Sequence, residues 1–164
     1  MPKNQSMCDT HELYTTDGSI NERSIITLAT HLLEPKLEST NCLTSSKQTC
    51  DYVQLQLANY EREVFAGLFL NAQHALIRYE ELFFGTIDSS HVWPREVVKA
   101  ALRLNSAAVI FAHNHPSGHN KPSAADKNIT RNLMAALDLV DIRVLDHVIV
   151  TKTTTYSMAE HGEL

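Results

Sequence analysis

The chain has 164 residues, 43% of them hydrophobic and 20% charged, with a formal net charge of −5. That length supports one domain with a real core plus an extension, and the composition is that of a soluble globular protein. No apolar run reaches membrane-spanning length, the polar start MPKNQSMCDTHELYTTDG lacks the apolar stretch of a signal peptide, and the acidic balance leaves no electrostatic footprint for nucleic acid.

The expected location is therefore the cytoplasm. Cys8, Cys42 and Cys50 fit that expectation: they are odd in number, lie in the first third and form no C-x-x-C, so they read as free thiols.

Residues 1 to about 20 are polar and aperiodic and are expected to be poorly ordered. Ile25, Leu28, Leu32 and Leu33 recur at helical spacing, which predicts a helix over 21–33 stopped by Pro35. The Ser/Thr-rich stretch 38–49 reads as a linker, and 52–60 as a short amphipathic helix with Val53, Leu55, Leu57 and Tyr60 on its apolar side. The expected division is thus a helical, partly disordered extension over 1–48 and one domain over 49–164.

From Glu63 the character changes. VFAGLFL (64–70) is apolar on both faces and reads as a buried strand, with 75–84 as its hairpin partner ended by Gly85-Thr86. Pro94 suits the first turn of a helix carrying Val97, Val98, Ala101, Leu102 and Leu104. AAVIFA (107–112) is a second buried strand. Residues 123–139 form a helix with Ile129, Leu133, Ala136, Leu137 and Val140 on one face, and 144–151 and 153–158 are the last two strands. This alternation predicts an α/β sandwich on a mixed sheet.

The chemistry concentrates in HNHPSGHNKPSAAD (113–126), an H-x-H-x7-S-x2-D pattern. Residues i and i+2 of a strand share a face, so a strand continuing through His115 projects His113 and His115 together from its carboxyl end. Ser123-x-x-Asp126 by itself reads as a helix capping box. Joined to the H-x-H upstream, it points to a bound divalent metal with an open position, and nitrogen and carboxylate donors without cysteine suit zinc. Metal-activated water also needs a base. Glu61, Glu63, Glu80, Glu81 and Glu96 are candidates that spacing does not separate, though a glutamate at the start of a buried strand is costly without a task or partner, which favours Glu63.

These residues resemble the JAMM/MPN+ metalloprotease motif, and the chain from about Thr49 onward resembles the RadC family. The matching segments are Glu63-Val-Phe, Leu82-Phe-Phe-Gly-Thr86, Pro94-Arg-Glu96, the HNHPSG run with Pro122-Ser123 and Asp126, and Leu145-Asp-His-Val148. The resemblance implies a three-layer α/β/α sandwich of the cytidine-deaminase-like type. It implies zinc on His113, His115 and Asp126, Glu63 as general base and Ser123 as the oxyanion-stabilising hydroxyl, in a hydrolase of peptide or isopeptide bonds acting on a protein or peptide.

Pro94-Arg-Glu96 also reads simply as a helix start with a surface Arg/Glu pair, and the family's common His before it is Trp93 here. The helix-hairpin-helix region of longer members has no counterpart in residues 1–48. Two other readings stand beside the hydrolase: a nucleic-acid-processing or DNA-repair-associated protein, and a scaffold that holds zinc without turnover. Specificity would come from loops such as 86–93 and 117–121.

Overall fold

A computed structural model of the chain describes residues 45–85 and 92–164, together with Ile25. The expected helix over 21–33 lies outside these residues except for Ile25, which is helical and exposed, and most of the 86–93 loop lies outside them too.

The elements are α1 (Ser46–Leu57), β1 (Val64–Leu70), β2 (Leu76–Phe84), α2 (Pro94–Arg103), β3 (Ala108–Asn114), α3 (Ala124–Asp138), β4 (Arg143–Val150) and β5 (Thr155–Ser157). The sheet order is β2-β1-β3-β4-β5, parallel between β3 and β4 and antiparallel elsewhere. Every residue of β1 and of β3 is buried, because these central strands are covered on both faces. On one face Val64, Ala66, Leu68, Ile110, Ala112, Val148 and Val150 pack with Tyr52, Val53 and Leu57 of α1. On the other, Phe65, Phe69, Val109 and Phe111 pack with Val97, Ala100 and Ala101 of α2 and with Leu133 and Leu137 of α3. The result is a three-layer α/β/α sandwich on a mixed sheet. No helix among the described residues is long and apolar enough to cross a membrane.

Three details differ from the sequence reading. Helix α1 starts at Ser46, inside the stretch read as a linker, so residue 49 falls within a helix. Ser45 Oγ caps it by accepting from the Gln48 N–H at 3.3 Å, and the hydroxyl-rich composition that suggests a loop is here the cap. Leu55 is 40% exposed and Leu102 55% exposed, although both were expected on apolar faces. At about 100° per residue, Leu102 lies roughly 140° around the helix from the buried Val97.

Tyr79, on β2, meets Tyr52 edge to face with ring centroids 5.8 Å apart. Burial, reinforced by the Glu81 carboxylate, pushes its hydroxyl well above the ordinary tyrosine range. The folded chain therefore keeps Tyr79 neutral where the unfolded chain ionises it. The associated stability is fully present below about pH 10 and falls as pH rises beyond it. Urea unfolding at rising alkaline pH is expected to show that loss, and Tyr79→Phe to flatten it; an equal slope in the variant would assign the loss elsewhere.

Candidate metal centre

β3 ends at Asn114, yet the His115 N–H still donates to the Val150 carbonyl at 2.8 Å, so extended pairing carries one residue past the strand. His113 and His115 consequently project to one side, with ring centroids 4.6 Å apart. Helix α3 brings the third group. Its capping box is complete: the Asp126 N–H donates to Ser123 Oγ at 3.2 Å, and the Ser123 N–H donates to Asp126 Oδ2 at 2.7 Å. The cap aims the Asp126 carboxylate at the imidazoles. Asp126 Oδ1 lies 3.3 Å from His113 Nε2, and Oδ2 lies 3.5 Å from His115 Nε2. One ligand atom from each of the three residues falls within 4.8 Å of the others.

The groups around the two rings fix where their protons sit. His115 Nδ1 is 2.7 Å from the His119 carbonyl, an acceptor, so Nδ1 carries the proton and Nε2 of the neutral ring is bare. His113 Nε2 faces it at 2.8 Å. A carboxylate and two imidazole nitrogens converging in this way call for a cation between them. The hydrogen bond to Asp126 raises the His115 pKa against the opposing effect of its burial. Burial works against the Asp126 charge, but the His113 and His115 imidazoles beside it and its hydrogen bonding with Ser123 hold its carboxyl far below the usual range. A divalent ion satisfies the same donors. Around tetrahedral zinc, ligand atoms lie about 3.3 Å apart; the His–His spacing is 2.8 Å, and the His–Asp contacts of 3.3 and 3.5 Å run to the two different carboxylate oxygens.

The other expected residues take distinct places. Ser123 is exposed at the cap. Phe65 pairs with His113, so by extension of that register Glu63 stands across from His115, and its negative charge raises the His115 pKa. Three of the other candidate glutamates have partners of their own, and Glu61 is exposed. Glu80 accepts from Arg103 at 2.6 Å, Glu81 from the Tyr60 hydroxyl at 2.9 Å, and Glu96 from Lys99 at 2.8 Å on the exposed start of α2. With Arg95 Nε 3.9 Å from Glu96 Oε1 as well, Pro94-Arg95-Glu96 is a helix start with surface ion pairs. Trp93 occupies the N-cap position of α2 without a side-chain cap bond.

Two further residues shape the site and were not assigned from sequence. Asn114, between the two histidines and directed to the opposite face, is buried. Its Oδ1 accepts from the Val64 N–H at 2.7 Å, and its Nδ2 donates to the Tyr60 and Arg62 carbonyls at 3.2 and 2.9 Å. It thus pins the lead-in to β1 that carries Glu63. Asn114→Ala orphans a buried N–H and two carbonyls and is expected to cost about 1–3 kcal/mol; denaturant unfolding checks this, and an unchanged midpoint would contradict it. His147, on β4, stands behind His113 with Nε2 2.8 Å from His113 Nδ1. Burial holds the His147 ring well below the ordinary histidine range, in its neutral form.

The chain is similar to known proteins over most of its length. The RadC-like JAB domain family matches residues 43–163. A UPF0758 protein of Vibrio cholerae is 51% identical over 143 residues, covering 87% of this chain and 90% of its own length. A UPF0758 protein of Aeromonas hydrophila is 54% identical over 134 residues, and the matched region spans 59% of that longer relative. With a His-His-Asp cluster of JAMM type set at the end of the central strand of this sandwich, the chain belongs to the RadC-like JAB domain family.

Proposed function

We propose that this chain is a zinc-dependent hydrolase of the JAMM type, cleaving a peptide or isopeptide bond in a protein or peptide substrate. The observation that carries the reading is the convergence of two imidazole Nε2 atoms, 2.8 Å apart, with the Asp126 carboxylate across from them. In this reading His113, His115 and Asp126 hold the ion, and three protein ligands leave a coordination position open, as in catalytic sites. When bound, the ion lowers the pKa of water towards about 7 and polarises a carbonyl oxygen.

Glu63 takes the proton that the attacking water loses and passes it to the departing amine nitrogen as the C–N bond breaks. Ser123 Oγ accepts from the Asp126 N–H, which leaves its own proton free to be donated to the oxyanion that develops on the substrate carbonyl. In this reading residues 49–164 are the acting domain and residues 1–48 an extension to it.

Metal analysis of the purified chain beside His113→Ala tests the reading. Zinc in the wild type and its loss in the variant are expected, and a wild type without divalent metal would sink it. A peptide-library cleavage screen of the zinc-loaded chain then separates hydrolysis from zinc holding without turnover.

A further inference from the structure

The ligand His113 is backed by a chain of hydrogen bonds whose direction is fixed from its far end. Thr130, in α3, has one hydroxyl proton. Its Oγ1 lies 2.6 Å from the Asp126 carbonyl, which can only accept, so the hydroxyl donates there. The contact from Thr130 Oγ1 to Met158 Sδ, at 3.9 Å, is far longer. Thr130 Oγ1 also lies 2.6 Å from His147 Nδ1 and, its proton being spent, must accept from it.

His147 is fully buried, with Phe65 and Phe111 set edge-on against its ring at 5.4 and 6.1 Å. Neither hydrogen-bond partner of the ring, Thr130 or His113, carries negative charge, so the imidazole is neutral. With its proton on Nδ1, Nε2 is an acceptor, and the atom 2.8 Å away, His113 Nδ1, must donate.

We propose that Thr130 and His147 are positioning residues that form a tautomer lock, holding the His113 proton on Nδ1 and leaving Nε2 bare and aimed at His115 and Asp126. The lock deepens the metal reading above and rests on it for its purpose. Its geometry is a closed circuit: His113 to His147, to Thr130, to the Asp126 carbonyl, and through the Asp126 carboxylate back to His113. One ligand is thereby oriented by the helix turn that presents another. Metal-bound histidines commonly donate their second nitrogen to a carboxylate, a backbone carbonyl or water. His115 follows that habit through the His119 carbonyl, whereas His113 uses a second, buried imidazole.

Long-range proton–nitrogen NMR of the histidine-labelled, chelator-treated chain, above the ordinary histidine titration range, reads the tautomers with no metal present. Nδ1–H is expected on His113, His115 and His147. Wild-type His113 carrying its proton on Nε2 would overturn the lock. In His147→Phe, which keeps a ring in the apolar slot but offers no acceptor, His113 should show mixed tautomers while His115 keeps Nδ1–H. Zinc affinity, measured by chelator competition, should fall about 10–100-fold. His147→Gln, whose amide oxygen can take the same proton, should recover most of it.

Thr130→Val should lower zinc affinity in the same sense and Thr130→Ser restore it, which keeps the test alive if His147→Phe does not fold. Unchanged tautomers and affinity in a folded His147→Phe or Thr130→Val protein would reduce both residues to packing. A wild type that binds no zinc yet shows the Nδ1–H pattern would remove the metal reading and leave the lock standing.

Discussion

Asp126→Ala is expected to purify without zinc where the wild type carries about one equivalent, the stoichiometry of a single three-ligand site. Asp126 supplies the anionic donor of the cluster, and its loss leaves two neutral imidazoles to hold a dication. The fall in affinity should exceed the roughly 10–100-fold typical of losing a supporting partner. The substitution also removes half of the capping box, because Asp126 Oδ2 accepts from the Ser123 N–H at 2.7 Å. Weakening the start of α3 in that way costs about 1 kcal/mol. Asp126→Asn separates the two effects: its amide oxygen can still accept from Ser123, so the helix start survives while the ligand charge is gone. Zinc analysis and thermal unfolding of both variants beside the wild type decide the matter. Full zinc occupancy in Asp126→Asn would show that the carboxylate charge is dispensable.

The double role of Asp126 also explains which parts of the site could be read from the chain. Strands β1 and β3 declare themselves as short apolar runs, and the H-x-H and S-x-x-D spacings are local, so the sequence places the His–His–Asp set and its cap together. The capping-box and ligand readings of Ser123 and Asp126 compete on paper and coexist in the molecule, since the cap is what aims the carboxylate. Long-range polar partners are different. Asn114 bonds residues 50 to 54 positions away, and His147 joins His113 and Thr130 across 34 and 17 positions. No periodicity connects such residues. The available signal was negative: His147 is a lone imidazole within the buried end of β4, and Thr130 a lone hydroxyl on the buried face of α3. A buried polar group needs a partner, and which partner is set by the sheet order rather than by spacing. The early start of α1 was hidden for a related reason, because Ser45 serves equally well in a loop or as a cap.

Glu63→Gln is expected to keep zinc at the wild-type level and to lose turnover by about 10²–10⁴-fold, the range that a positioned general base contributes. Glutamine is nearly isosteric and makes no demand on the fold at a half-buried position. The backbone around it should hold, since the Gly85 N–H bond to the Glu63 carbonyl at 2.8 Å and the Asn114 clamp on Val64 do not involve the side chain. What changes is the capacity to accept a proton. The comparison with Glu81→Gln is the sharper half of the experiment. Glu81 pairs with Ala66, three residues along β1 from Glu63, and is bound to Tyr60, so removing its charge should leave turnover within the same order of magnitude as the wild type. Zinc content and initial rates on a substrate found in the cleavage screen measure both variants. Full activity in Glu63→Gln would remove that residue from the mechanism, and a collapse confined to Glu81→Gln would move the base to β2.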